Sequence, residues 1–268
     1  MNLVVSDPAQ IAGRFLSARR SASGLAEYPG PFPATLEEAY RIQDQAIAAW
    51  GKPVIGWKVG RINPPLSEQF GTDRLAGPIF ASTAAEAGEP CMPVFAEGFA
   101  AGEAEFLLRI ARTPEPGKRR FSLDESADLI EAVHVGIEIA SSPLGAINRL
   151  GPIAVISDFG NNNGLVIGAA IPDWRSRGFE QWEVTTLLDG AEAGTGRASS
   201  FPDGAIGAAR FLFELMASRG IALQAGQWIS SGAVTGVHDA RPGQRVEARF
   251  GDGYRVACTL SAASAEAG

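Results

Sequence analysis

Three glutamates carry the chemistry most easily read from this chain. Glu103 and Glu105 lie two residues apart in Ala101-Gly102-Glu103-Ala104-Glu105-Phe106, and Glu138 lies in Gly136-Ile137-Glu138-Ile139. Side chains alternate along a strand, so Glu103 and Glu105 share a face, opposite Ala104, Phe106, Leu108 and Ile110. In the second run Val133, Val135, Ile137 and Ile139 form the apolar face and Glu138 points the other way. Should the two strands lie close together, the three carboxylates converge, and like charges at such range repel unless a cation lies between them. A hard divalent ion, Mg²⁺ or Mn²⁺, suits an all-oxygen set. The competing reading is the solvated face of an edge strand.

Other candidates are weaker alone. Lys58 alternates with apolar neighbours in Gly56-Trp57-Lys58-Val59-Gly60, and a lysine desolvated there would have its pKa lowered toward acid–base range. A snorkelling surface lysine is the plain alternative. His134 shares the expected face of Glu138 and reads as a ligand, a general base or a structural histidine. Ser157-Asp158-Phe159-Gly160-Asn161-Asn162-Asn163-Gly164 reads as a turn, or as a loop at the mouth of the site with Asp158 orienting a neighbour. Small residues in Ser231-Gly232-Ala233-Val234-Thr235-Gly236 would let backbone N–H groups meet an anionic substrate. Neither a Gly-x-Ser-x-Gly elbow nor a Gly-x-Gly-x-x-Gly fingerprint is present, which argues against a serine hydrolase and a dinucleotide fold.

These residues need strands to hold them. Asp7, with Pro8 and Gln10, predicts a helix to about residue 20, and Thr35-Leu36-Glu37-Glu38 a second to about Trp50. Strands are expected at 54–60, around the three glutamates, and at 153–157, 164–169, 182–188, 227–230, 244–250 and 254–260. Ser122 starts a helix to about Ala132, Asp203 caps one through Arg219, and Asp189-Gly190 and Gly251-Asp252-Gly253 are turns. The Gly- and Pro-punctuated stretch to Pro93 reads as a lid, and 261–268 as a frayed end. Many strands with few helices between them argue for an α+β fold: a curved mixed sheet rolled into a barrel-like core with helices outside. Residues 1–52 form an N-terminal helical section and 53–268 a mixed-sheet catalytic domain.

A net charge of −7 over 268 residues argues against nucleic acid or an anionic membrane as partner. Cys91 and Cys258 are far apart, without ligand-spaced neighbours, so neither zinc nor a disulfide framework is expected. No apolar run reaches spanning length and the first residues do not resemble a signal peptide, so a cytoplasmic protein is the default.

Taken in order, Gly56-Trp57-Lys58-Val59-Gly60, Gly77-Pro78-Ile79-Phe80, Glu103-Ala104-Glu105, Ile137-Glu138-Ile139, Ile156-Ser157-Asp158, Gly164-Leu165-Val166-Ile167-Gly168 and Ser231 to Gly236 resemble the fumarylacetoacetate hydrolase superfamily. The likeness is to its 2-keto-4-pentenoate hydratase and 4-oxalocrotonate decarboxylase branch, over about residues 35–260. It implies that Glu103, Glu105 and Glu138 bind Mg²⁺ or Mn²⁺, that a 2-oxo acid chelates the ion, that Lys58 moves protons, and that Glu105 orients water. Asp158 and Thr235 would contact substrate, as would Asp73, standing near the place of an aspartate missing from Arg74-Leu75-Ala76-Gly77. The Asp and Arg that hydratases carry after the third glutamate are replaced in Ala140-Ser141-Ser142-Pro143, and a late serine is Ala233. The implied activity is a hydratase acting on a 2-hydroxydienoate or 2-oxo-enoate from aromatic-ring catabolism, in a homo-oligomer. The alternatives are a 2-oxo-enedioate decarboxylase, an acylpyruvate hydrolase and a non-catalytic subunit paired with a decarboxylase. Hydrolysis ranks lower because residues 60–100 contain no histidine to activate water.

Overall fold

The computed structural model describes residues 7–85, 88–251 and 253–266. Asp252 of the expected turn and Met1 to Ser6 of the N-terminal reading lie outside the described residues. In chain order the elements are α1 (Pro8–Ser21), α2 (Leu36–Trp50), β1 (Gly56–Arg61), α3 (Leu66–Phe70), β2 (Arg74–Ile79), β3 (Ser82–Ala84), β4 (Cys91–Val94), β5 (Phe99–Ile110), α4 (Leu123–Asp128), β6 (Ile130–Ser142), α5 (Ile147–Leu150), α6 (Pro152–Ser157), β7 (Asn162–Ala170), β8 (Val184–Leu188), β9 (Ala191–Gly196), α7 (Gly204–Arg219), β10 (Trp228–Ser230), β11 (Arg245–Phe250) and β12 (Tyr254–Ala262). Among the described residues no helix is long and apolar enough to cross a membrane.

The fold is mixed α+β, with two sheets where the sequence suggested one. A seven-stranded sheet runs β2-β1-β10-β5-β6-β7-β3, and a five-stranded sheet runs β4-β12-β11-β8-β9. Three pairings, β1 with β10, β3 with β7 and β4 with β12, are parallel and the rest antiparallel. The sheets do not close into a barrel; they pack face to face. The apolar faces of β5 and β6 share one core with β11, β12 and α7. Phe106 meets Phe179 at 4.8 Å and Phe250 at 5.2 Å between ring centres, both edge-on.

The other face of β5 and β6 carries the glutamates. At one end Ala101 and Ala140 sit beneath Ile11, Phe15 and Ile42 of α1 and α2 and the buried run of α6. At the other, Leu107, Ile79 and Leu165 form a small apolar cluster. The glutamates lie between these two apolar blocks, and the N-terminal helices form one wall of the region.

Local signals explain the starts of elements better than their ends. Asp7 caps α1, accepting from Ala9 N at 3.0 Å, and Thr35 caps α2, accepting from Glu38 N at 3.2 Å. Ser122 and Glu125 form a complete capping box, but α4 stops at Asp128 because the alternation of β6 begins at Ile130. Residues 153–157 are helix α6, not a strand. The run is buried on all sides, so it has no polar face to show a period, and Pro152 opens it as a helix. Asp203 stands at the α7 N-cap but accepts no cap hydrogen bond; Glu180 Oε1 does so, from Ala205 N at 2.7 Å and Ile206 N at 3.2 Å. Part of the expected lid is sheet: β2 pairs along the whole of β1, and β4 joins the second sheet. The expected fray is tied down through Glu266, whose N–H donates to the Arg20 carbonyl at 2.8 Å.

Candidate metal centre

β5 and β6 are antiparallel, with Glu103 directly opposite Glu138 and Glu105 opposite Gly136. Adjacent positions on one face leave little distance between side chains. One oxygen from each of Glu103, Glu105 and Glu138 lies within 4.8 Å of the others. Burial is nearly complete: Glu105 and Glu138 are 0 % exposed, Glu103 3 % and Lys58 5 %. That removes the solvated-edge reading, since the strands are central and the carboxylates dry.

Two of the carboxylates are held from behind. Glu105 Oε2 accepts from Ser230 Oγ at 2.6 Å and from Gly232 N at 2.8 Å. Glu138 Oε1 accepts from Asn162 Nδ2 at 2.9 Å and lies 3.4 Å from Lys58 Nζ, which donates to Asn161 Oδ1 at 3.3 Å. Glu105 Oε1 and Glu138 Oε2 are buried without a hydrogen-bond partner. Buried acceptors left unpaired are costly, so this pair of oxygens, aimed into a cluster with Glu103, is suited to a hard cation. One ammonium cannot balance three carboxylates in such a place.

The electrostatics follow from the same crowding. Burial pushes the Glu103 carboxyl up to about 7, with Lys58 opposing the rise and Glu138 adding to it. Burial, then the charges of Glu138 and Glu103, push Glu105 well above the carboxylate range. For Lys58 the expected lowering is reversed. Burial does lower it, but Glu138, Glu103 and Glu105 together outweigh burial and raise it, so Lys58 holds its proton. Glu103 therefore destabilises the metal-free fold as it ionises. Its folded pKa lies above its unfolded one, so the folded chain binds more protons between about pH 4.5 and 7 and loses stability as pH rises through that window. Metal-free protein is expected to melt lower at pH 8 than Glu103→Gln by at least roughly 2–4 °C, the shift that 1 kcal/mol makes in a chain of this size. Saturating Mg²⁺ should abolish the gap, as calorimetry at pH 8 with and without the ion would show; equal melting of the metal-free proteins would count against it.

Glu103, Glu105 and Lys58 form the floor of a cleft of about 940 Å³. Residues 62–66, the remnant of the expected lid, border it, and Arg61, Phe201 and Thr235 also line it. Thr235 Oγ1 lies 2.8 Å from Thr186 Oγ1 and 3.2 Å from His238 Nε2. Asp73 stays outside this cleft, half-buried beside Arg74 at 4.0 Å. Asp158 is not at the mouth at all: it is 1 % exposed and forked onto Arg19, with Ser142 Oγ donating to it at 2.6 Å. His134 is structural, bonded to the Gly168 carbonyl at 2.9 Å and edge-on to Trp228. The Gly232 N–H meets Glu105 rather than a substrate.

Asn161, Asn162 and Ser230 touch Lys58, Glu138 and Glu105, and sequence reasoning gave none of the three a role of its own. The three consecutive asparagines were the available signal, and turn chemistry explained them too completely. Their turn packs against β2 at Gly77, where a Cβ would run into the Phe159 carbonyl and the Gly160 backbone. Gly77→Ala is expected to cost about 1–3 kcal/mol through overpacking, read as a lower melting temperature. Unchanged melting would contradict that packing.

No family model matches the sequence. A protein of Burkholderia vietnamiensis named 2-keto-4-pentenoate hydratase is 27 % identical over 234 residues, covering 84 % of this chain and 87 % of that one. The solved 4-oxalocrotonate decarboxylase from Pseudomonas putida G7, complexed with magnesium and adipate, superposes at a TM-score of 0.79 with 19 % identity, covering 97 % of this chain and all of its own. A putative fumarylacetoacetate hydrolase family protein from Yersinia pestis superposes at 0.54 with 16 % identity, over 78 % of this chain and 94 % of its own. The chain has the fold of the fumarylacetoacetate hydrolase superfamily. Its sequence is similar to that of a 2-keto-4-pentenoate hydratase and its fold to that of a 4-oxalocrotonate decarboxylase, the branch its motifs resemble.

Proposed function

We propose that this protein is a divalent-metal-dependent hydratase that adds water to a 2-hydroxydienoate or 2-oxo-enoate. The observation that carries the reading is the pair of unpartnered buried oxygens on Glu105 and Glu138, converging with Glu103 beneath the cleft that Glu103, Glu105 and Lys58 line. Glu103, Glu105 and Glu138 would hold Mg²⁺ or Mn²⁺. Bound there, the ion supplies Lewis acidity to the 2-oxygen of a chelating 2-oxo acid.

The chain's own residues do the rest. Ser230 and the Gly232 N–H fix Glu105, and Asn162 fixes Glu138, so the carboxylates are oriented before any ligand arrives. Lys58, held protonated by its acidic neighbours, delivers a proton from Nζ to the far carbon of the dienol. The 2-hydroxyl proton leaves as the ketone forms and recharges Lys58; water then adds its hydroxyl to the β-carbon of the conjugated alkene, and its remaining proton goes to the α-carbon. Glu105 orients that water, and Thr235 with Asp73 and Asp158 were the sequence's candidates for substrate contact. Of these three, Thr235 is the one beside the cleft, and it alone is kept in the proposal. The reading includes a homo-oligomer working in the cytoplasm on intermediates of aromatic catabolism.

A second reading is decarboxylation of a 2-oxo-enedioate. Arg61 lines the cleft with its guanidinium over the Phe201 ring, 5.4 Å from its centre, where a cation suits a second carboxylate. The P. putida decarboxylase is complexed with a dicarboxylate, adipate. Full-length protein with Mg²⁺ should speed the loss of dienol absorbance from 2-hydroxypentadienoate beyond uncatalysed ketonisation. Loss no faster than the metal alone produces, together with CO₂ release from a 2-oxo-enedioate, would replace the first reading with the second.

A further inference from the structure

The turn between α6 and β7 has the least relaxed backbone near the site. Phe159 (φ 56°), Gly160 (φ 65°) and Asn161 (φ 56°) are three consecutive left-handed residues. Glycine takes that conformation freely; phenylalanine and asparagine do so only where the surroundings enforce it. The strain has a geometric result. Asn161 turns its amide oxygen to Lys58 Nζ, and Asn162 turns its amide nitrogen to Glu138 Oε1. From the inside the turn rests on β1 and β2, since a Cβ on Gly160 would stand 2.9 Å from both Gly77 Cα and Lys58 Cδ.

From the outside one side chain grips both ends of the turn. Arg19, on α1, donates from Nε to Asp158 Oδ1 at 2.5 Å and from Nη2 to Asp158 Oδ2 at 3.0 Å and the Asp158 carbonyl at 3.3 Å. Its Nη1 donates to the Asn162 carbonyl at 3.3 Å, and Nη2 also reaches Ser141 at the end of β6. Its guanidinium carbon lies 5.1 Å from the Phe159 ring centre and 5.5 Å from that of Phe95. Arg19 is 7 % exposed and lies outside the cleft lining. Residue 158 and residue 162 are thus pinned by one planar fork, and the strained residues lie between the pins.

We propose that Arg19 is a positioning residue of the candidate metal centre: it holds the 158–162 turn in the left-handed shape that brings Asn161 to Lys58 and Asn162 to Glu138. This rests on the metal-site reading above. The N-terminal helix then serves the site without touching it, as outer partners that orient metal-binding side chains do.

The test is Mn²⁺ binding to the full-length chain, read from the free aquo-ion signal in electron paramagnetic resonance, with melting temperatures in parallel. The proteins are wild type, Arg19→Lys, Asn162→Ala and the double variant. Arg19→Lys keeps the charge but loses the fork, and should weaken Mn²⁺ binding about tenfold. If Arg19 acts through the turn, the double variant should bind within about twofold of Asn162→Ala alone. Full additivity, or Arg19→Lys binding as tightly as wild type, would overturn the inference and leave the metal reading standing. Wild type that takes up no Mn²⁺ would overturn both. Should Arg19→Lys not fold, Ser142→Ala, which removes the 2.6 Å donor to Asp158 Oδ2, should weaken Mn²⁺ binding measurably; wild-type affinity there would overturn it.

Discussion

Lys58→Met is expected to lower turnover by about 10²–10⁴, the usual contribution of a positioned acid or base, while Mn²⁺ binding survives. Lys58 lines the cleft beside Glu103 and Glu105, 3.4 Å from Glu138 Oε1, and its three acidic neighbours keep it protonated. Methionine fills similar volume without a proton to give. Removing one partner of a buried ion pair destabilises by about 3–5 kcal/mol, so metal-free Lys58→Met should melt well below wild type. A divalent ion restores positive charge beside Glu138, so saturating Mg²⁺ should recover much of that loss. Turnover of the 2-hydroxydienoate would be compared under those conditions. A rate within about tenfold of wild type would remove Lys58 from the chemistry.

Glu105→Gln is expected to weaken Mn²⁺ binding by more than about 100-fold, beyond what the loss of an outer partner does, and to stabilise the metal-free chain. Glutamine can still accept from Ser230 Oγ and Gly232 N with its amide oxygen, so the local frame is kept. What it removes is a carboxyl that burial and the charges of Glu138 and Glu103 already push far above its ordinary range. Relief of that repulsion should raise the metal-free melting temperature by roughly 2–4 °C for each kcal/mol recovered. The wild type should instead gain stability from Mg²⁺ by mass action, and the variant should not. Metal affinity unchanged by the substitution would mean that the cluster is a strained network without an ion.

The centre of this site was legible because a strand's alternation fixes faces. Glu103, Glu105 and Glu138 opposite two apolar stripes required only that rule. Their register, Glu103 against Glu138, was not available locally; it depends on pairing between strands far apart in sequence. Lys58 was found, but the direction of its pKa was reversed, because burial alone was weighed and the neighbouring charges were not. Asp158 was drawn toward the substrate by its place in a polar loop, whereas its partner, Arg19, lies 139 residues earlier on another element. Asn161 and Asn162 looked like any turn, since nothing local distinguishes an amide that ends a strand from one that reaches a lysine. α6 failed for a related reason: a short apolar run buried on every side has no period to read. Two sheets in place of one rolled sheet also follow from long-range pairing that alternation does not specify.

The most direct measurement is the anomalous scattering of Mn²⁺ in a crystal of the full-length protein grown with oxalate, a non-reacting stand-in for a 2-oxo acid. The expected result is a single strong peak coordinated by Glu103, Glu105 and Glu138, with oxalate chelating the ion beside Lys58. Well-ordered carboxylates with no peak among them, or an ion bound elsewhere on the chain, would contradict the metal centre and the function built on it.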